Sequence, residues 1–330
     1  MGKVIMVLVI AILVIVIVLI IALAIVHTRR LRQEVEIYTP VGSMVNVNGS
    51  QMHVFSAGDA EQTALVFLSG HGTSSPTMDF KPLWNKLQGE YRVSVVERPG
   101  YGWSTHSGKP RDIETMLEET REALRLAGET PPYVLLPHSM AGLEALYWAS
   151  KHPQEVRAII GLDPCTPDSI DLLPPFRTVQ LNFMYLISRL GLPRYIPDAD
   201  IDTYLPLMQY EGFLEHDRAS YRSLLYRSSF TRDMLNELRY LTQNAATVAE
   251  QAIPHDTPML FFLSKEQEHV ASGWERVMTS YLLQIENSEL VPLETSHYLH
   301  HDKADQIVER IRLFIDNTRS VHTDPEKPRP

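Results

Sequence analysis

Ser139 sits where an apolar run, Tyr133-Val134-Leu135-Leu136-Pro137, gives way to His138-Ser139-Met140-Ala141-Gly142. A strand that runs into a serine, with small residues opening a helix just beyond, lifts the hydroxyl to the top of a sheet as a nucleophile. The adjacent helix N-terminus favours the oxyanion formed when that hydroxyl attacks a carbonyl. Such a turn is tight, so the positions two before and two after the serine must be small. Ala141 meets this requirement. Pro137 departs from it, with φ fixed at about −65° and no N–H to give. Taken alone, Ser139 would serve equally as an ordinary helix N-cap.

Two further segments supply partners. Leu68-Ser69-Gly70-His71-Gly72-Thr73 follows a short apolar strand. A glycine-bearing loop there lets backbone N–H groups face a substrate oxygen, and the expected oxyanion donors are Met140 and Thr73, with Gly72 shaping the loop. The plain alternative is a glycine turn. Late in the chain, Thr295-Ser296-His297-Tyr298-Leu299-His300-His301 lies between a strand and the last helix. A loop histidine, with an ordinary pKa of about 6.5, can act as both base and acid, and His297 is the candidate. His297, His300 and His301 also raise the thought of a metal. No H-E-x-x-H accompanies them and the sole cysteine is Cys165, so neither metal nor organic cofactor is expected.

These residues need a scaffold. After residue 40, strand-like and helix-like stretches alternate, as in a mostly parallel sheet covered by helices. Met44–Val47 and Gln51–Phe55 flank the hairpin signal Asn48-Gly49. Strands are expected at 64–69, 92–96, 133–136, 156–162, 258–263 and 289–293. Helices are expected at 80–88, 114–127, 141–151, around 274–283 and at 304–315. Between Pro164 and Pro254 the alternation stops; that stretch reads as helical and suits an inserted cap better than a long loop.

With these pieces in order, the sequence resembles the α/β-hydrolase superfamily over about residues 40–318, and is similar to its bacterial esterase-like members with a helical cap. The matching segments are Ser69-Gly70-His71-Gly72, Glu97-Arg98-Pro99-Gly100-Tyr101-Gly102-Trp103-Ser104, Pro137-His138-Ser139-Met140-Ala141-Gly142, Gly161-Leu162-Asp163-Pro164 and Ser296-His297-Tyr298-Leu299-His300-His301. The resemblance implies an α/β fold with a Ser-His-acid triad. It disfavours the relatives that use an aspartate nucleophile, because a serine occupies that position. It also exposes a gap. The family's usual acid follows the strand ending at Leu263, and here Gln267 falls in its place within Leu263-Ser264-Lys265-Glu266-Gln267-Glu268-His269. Two readings stay open: Asp163, at the end of the preceding strand as in some lipases of this fold, or Glu266 or Glu268 from the usual loop. Asp163 is preferred. It keeps the chain order Ser139, acid, His297, although an Asp before Pro is also a common turn residue.

Composition narrows the partners. The chain of 330 residues carries 30 Lys+Arg against 40 Asp+Glu, a net charge of −10, which argues against nucleic-acid binding. One cysteine allows no intramolecular disulfide. Val4–Val26 is an unbroken apolar run, about 35 Å long as a helix at about 1.5 Å per residue, against a hydrocarbon core of about 30 Å. It exceeds the core of a usual signal peptide, though Ala22-Leu23-Ala24 offers a small-x-small site, and is expected to be an uncleaved single-pass anchor. Arg29, Arg30 and Arg32 after the span point to a cytoplasmic C-terminal domain.

The expected organisation is therefore an anchor with basic flank at 1–32, a hydrolase core at 40–164 and 255–318, a helical cap at 165–254 and a flexible tail at 319–330. The expected function is hydrolysis of small-molecule carboxylic esters through an acyl-enzyme. Apolar cap residues such as Phe183, Met184, Tyr185, Leu186, Leu205, Leu207 and Met208 suggest an apolar acyl or alcohol group, unless they form only the core of the cap. The rivals are a peptidase or amidase of the same fold, a C–C bond or halogen-linked hydrolase or oxidase, and a membrane-tethered binding protein without catalysis.

Overall fold

The computed structural model describes residues 2–175, 177–197, 200–201 and 205–323. Eight strands form one sheet in the order β1-β2-β4-β3-β5-β6-β7-β8. They are β1 (Ser43–Val47), β2 (Ser50–Ala57), β3 (Ala64–Leu68), β4 (Arg92–Glu97), β5 (Tyr133–Pro137), β6 (Val156–Leu162), β7 (Met259–Ser264) and β8 (Ser288–Leu293). β1 and β2 form the hairpin expected at Asn48-Gly49, and β2 runs antiparallel to β4. From β4 onward every pairing is parallel.

The central strands are buried on both faces, so they read as nearly continuous apolar runs. Their side chains still alternate. In β3, Val66 and Leu68 join one core while Leu65 and Phe67 join the other, and in β7 Phe261 and Phe262 divide the same way. The first core lies under α4 (Ile113–Leu126) and α5 (Ala141–Lys151); the second lies under α3 (Lys81–Leu87) and the last helix, Ala304–Thr323. A short α2 (Pro76–Asp79) precedes α3. The last helix extends past the expected stop at 315 and through the first part of the expected tail, to Thr323; residues 324–330 lie outside the described residues.

Between β6 and β7 all described elements are helical. They include α6 (Thr178–Arg189), a 3-10 turn at Leu192–Tyr195, and helices Glu215–Ser228 and Arg232–Ala249. The last of these is not a cap element by its packing. Leu241, Ala245 and Val248 join the first core with α4 and α5, and the Asn244 side chain accepts from Ile113 N at 2.9 Å and donates to Arg111 O at 2.9 Å. The overlying segment is thus shorter than the expected 165–254.

α1 (Gly2–Ile37) is one unbroken helix of 36 residues, long and apolar enough to cross a membrane. Most of its apolar part is exposed among the described residues, whereas its last turns dock on the inserted segment. Arg194 donates from Nε to His27 Nδ1 at 2.9 Å and pairs with Glu34 at 2.5 and 2.6 Å.

Candidate active site

The end of β5 forms the tight turn that carries Ser139. Ser139 has φ +54°, a left-handed conformation that costs a non-glycine residue about 1–2 kcal/mol and is held by its surroundings. Ser139 N donates to Leu162 O at 3.3 Å, and Ser139 O accepts from Gly142 N at 2.9 Å and Cys165 N at 2.8 Å. Two glycines permit the crowding. A Cβ on Gly142 would stand 2.2 Å from Cys165 O, and one on Gly70 would stand 2.8 Å from Ser139 Cβ. Pro137 fits because of strand alternation. Ser139 N faces β6, so the nitrogen of Pro137 faces β6 too, where the ladder is interrupted between Leu135–Ile159 and the isolated His138–Leu162 bridge. On the other side the ladder is intact, with His138 N donating to Leu68 O at 2.9 Å.

His297 lies on the loop after β8, half-buried, and its Nδ1 donates to Asp163 Oδ2 at 2.6 Å. Asp163 is fully buried at the end of β6 with φ +49°. Its other oxygen accepts from Trp274 Nε1 at 2.9 Å and Ser264 N at 3.2 Å. Three donors on one buried carboxylate compensate its burial and fix the imidazole's orientation. The alternative acids stand elsewhere. Glu268 accepts from Gly273 N at 2.6 Å and Glu275 N at 3.1 Å, capping helix Trp274–Leu282, and those N–H groups hold its pKa below the usual range. Glu266 is exposed, and Gln267 is buried with its N–H donating to Ser264 Oγ at 3.3 Å.

The Gly70–Thr73 loop lies against the turn. Thr73 is buried, Gly72 is exposed with φ +80°, and Met140 is half-buried at the start of α5. Among the described residues neither the Met140 nor the Thr73 N–H is spent on an acceptor. Beneath the loop, buried Arg98 pairs with Glu144 and Glu237 at 3.3 Å each, and Tyr101 donates its hydroxyl to Glu237. His71 Nδ1 stands 3.7 Å from Glu237, so helix Arg232–Ala249 braces the loop. A cavity of about 380 Å³ opens beside this loop, lined by Gly72, Thr73, Leu207, Phe230, Ser296 and Tyr298 among others.

Three residues that carry structure here were not legible as such in the sequence. His138 is buried next to Ser139 in the chain and donates from Nε2 to His297 O at 3.1 Å, tying the histidine loop to the turn. Burial, then the neighbouring His297 and His300, push its pKa well below the ordinary value, so it is neutral. Glu97 accepts from Trp103 N at 2.7 Å and from Thr77 N at 3.2 Å, so the 97–104 motif holds α2 in place. α2 carries Asp79, whose two oxygens accept from His300 Nε2 and His301 Nε2 at 2.9 Å each. Burial alone would raise the Asp79 pKa, but the two imidazoles hold it far below the carboxylate range. Asp79, His300 and His301 have their ligand-type atoms within 4.8 Å of one another, close enough to hold a metal ion, and the geometry here is that of two N–H groups on one carboxylate. His297 stands apart from that set, on Asp163.

Comparison with known proteins agrees with this architecture. The family model described as alpha/beta hydrolase fold matches residues 63–197. The uncharacterized protein YbdG of Bacillus subtilis (strain 168) is 32% identical over 302 residues, covering 89% of this chain and 92% of that protein. A haloalkane dehalogenase of Agrobacterium fabrum is 34% identical over 139 residues, 39% of this chain and 42% of that protein. The solved structure of the haloalkane dehalogenase variant DbeA-M1 from Bradyrhizobium elkanii superposes with a TM-score of 0.60 at 15% identity, over 85% of this chain and 97% of that one. The sheet order, the strained turn after β5 and these likenesses together place the chain in the α/β-hydrolase fold family.

Proposed function

We propose that the chain is a serine hydrolase that cleaves carboxylic esters bearing an apolar group, held at a membrane by α1. The observation that carries this reading is the 2.6 Å contact between His297 Nδ1 and Asp163 Oδ2, on a loop tied to the strained Ser139 turn. In the proposed reaction His297 Nε2 takes the Ser139 proton as Oγ attacks the ester carbonyl. The N–H groups of Met140 and Thr73 hold the oxyanion, and Asp163 stabilises the imidazolium. His297 then protonates the departing alkoxide, leaving Ser139 acylated. Water, deprotonated by the same ring, attacks the acyl-enzyme and releases the acid and the free serine. The Ser139 proton leaves on the alcohol and is replaced by one from water, so the sum is ester and water to acid and alcohol with the residues restored.

The serine matters for the choice of chemistry, since Ser139 stands where the relatives with an aspartate nucleophile carry that residue. The mainly apolar cavity beside the Gly70–Thr73 loop supports an apolar acyl group. The unpartnered apolar length of α1 supports an anchor, and Arg29, Arg30 and Arg32 just beyond it support a cytoplasmic catalytic domain. Detergent-purified full chain assayed with p-nitrophenyl esters from acetate upward is expected to turn over, with kcat/KM rising with acyl length. The His297→Ala variant is expected to lose on the order of 10⁴-fold or more. Equal, background-level hydrolysis by both would leave a binding protein on a hydrolase scaffold.

A further inference from the structure

α6 presents Val179, Phe183 and Leu186 at spacings of four and three, a single stripe, with exposures of 82%, 61% and 51%. The turn that follows adds Leu192, Tyr195 and Ile196 at 36%, 59% and 45%. So many large apolar side chains exposed together mark a contact surface. α1 says what covers it. Gly191 is packed on the ring of His27, which directly follows the apolar run ending at Val26. Arg194, in the same turn as Leu192 and Tyr195, binds both His27 and Glu34. The stripe and the turn are therefore fixed at the level where α1 would pass from hydrocarbon to headgroups.

Behind this face lies a second cavity of about 270 Å³, walled by Met184, Ile187, Pro193, Ile196 and Ile201 among others. It shares Leu205, Leu225, Ser229 and Phe230 with the cavity beside the Gly70–Thr73 loop. The two cavities therefore share a wall, the outer one reaching the surface at Ile196 and the inner one reaching Gly72, Thr73 and Ser296.

We propose that the face made by α6 and residues 192–196 rests in the same bilayer that α1 crosses, and that the linked cavities draw one acyl chain of a membrane lipid ester directly from that bilayer to Ser139. The substrate half of this proposal rests on the serine-hydrolase reading; the docking half does not. The test uses the full chain in phosphatidylcholine nanodiscs. In Phe183→Trp, tryptophan emission is read with lipids brominated on the acyl chain. The native Trp84, Trp103, Trp148 and Trp274 are buried, and their emission is subtracted with the wild type measured in the same lipids. Leu283→Trp, exposed near the start of β8 and so at the opposite end of the sheet from the site, is the control.

Phe183→Trp is expected to be quenched at least threefold more than Leu283→Trp; equal quenching overturns the docking. In parallel, the variant combining Val179→Glu, Phe183→Glu and Leu186→Glu is expected to hydrolyse p-nitrophenyl acetate as the wild type does. It is expected to lose at least tenfold on monooleoylglycerol embedded in the bilayer. Unchanged hydrolysis of that lipid ester overturns the route. Failure of the wild type on p-nitrophenyl acetate would instead sink the serine-hydrolase reading, and the quenching result would still decide the docking.

Discussion

Two histidine–carboxylate arrangements lie within five residues of one another on the loop after β8, and they are built for different ends. Asp79 receives two imidazoles, His300 and His301; Asp79 and His300 are buried and His301 is half-buried. Asp163 receives one imidazole, His297, whose side chain remains 28% exposed, together with an indole N–H and a backbone N–H. In the first, the carboxylate accepts from both rings and fastens the loop to α2, although Asp79 and His301 also line the cavity beside the Gly70–Thr73 loop. In the second, the rigid donors sit on the carboxylate, and the ring is held through Nδ1 alone, on a loop tied to the Ser139 turn by His138. The contrast shows that the same two residue types leave an imidazole locked or partly exposed according to what else satisfies the carboxylate, and the proposed function makes the exposed one the base.

Substitutions should separate the two. Asp163→Asn is expected to lower kcat by on the order of 10⁴-fold with little change in folding, because the amide leaves the imidazole wrongly protonated and without charge stabilisation. Steady-state ester kinetics and thermal melts would check both halves. Glu268→Gln is the sharpening control, with activity within about twofold of wild type and a stability loss of about 1 kcal/mol from a weaker helix cap. If Glu268→Gln were the inactive variant, the assignment of the two carboxylates would be reversed. Asp79→Asn should show the inverse profile, losing about 2–3 kcal/mol of stability while the folded fraction keeps activity within about tenfold. Chemical denaturation with active-site titration would distinguish lost molecules from slowed ones.

A smaller effect is expected from pH. The pKa values of His138 and His300 lie below the ordinary histidine value in the folded chain, in both cases chiefly through burial. The unfolded chain therefore takes up protons near pH 6.5 that the folded chain refuses. Stability should fall as pH drops below about 6.5, by at most about 1.4 kcal/mol per pH unit for each ring. The Asp79 carboxyl is shifted down as well, so its contribution is present above about pH 4 and is lost only as pH falls through that range. Both act in the same direction through separate windows. Melting curves from pH 8 to 5 should show the first, and a flat profile across that range would contradict the neutral burial of the two rings.

Much of this was legible locally. The ends of α5 and β6 follow from Ala141–Lys151 and Val156–Leu162 as written, because strand and helix periodicity change abruptly there. The Asn48-Gly49 hairpin reads directly from turn chemistry. What escaped was non-local. Nothing near His300 announces Asp79, which is 221 residues away and sits in a four-residue helix. Helix Arg232–Ala249 looks amphipathic like its neighbours, and only assembly shows that its apolar side completes the core under α4 and α5. Pro137 looked like a departure because sequence gives no hint of which neighbouring strand its nitrogen faces.

The most direct test of the central claim is the site of covalent labelling by a fluorophosphonate, mapped by peptide mass spectrometry on the full chain. The account predicts one phosphonylated residue, Ser139, with labelling abolished in Ser139→Ala and strongly slowed in Asp163→Asn. A folded wild type that carries no adduct, or carries it on another residue, would contradict it.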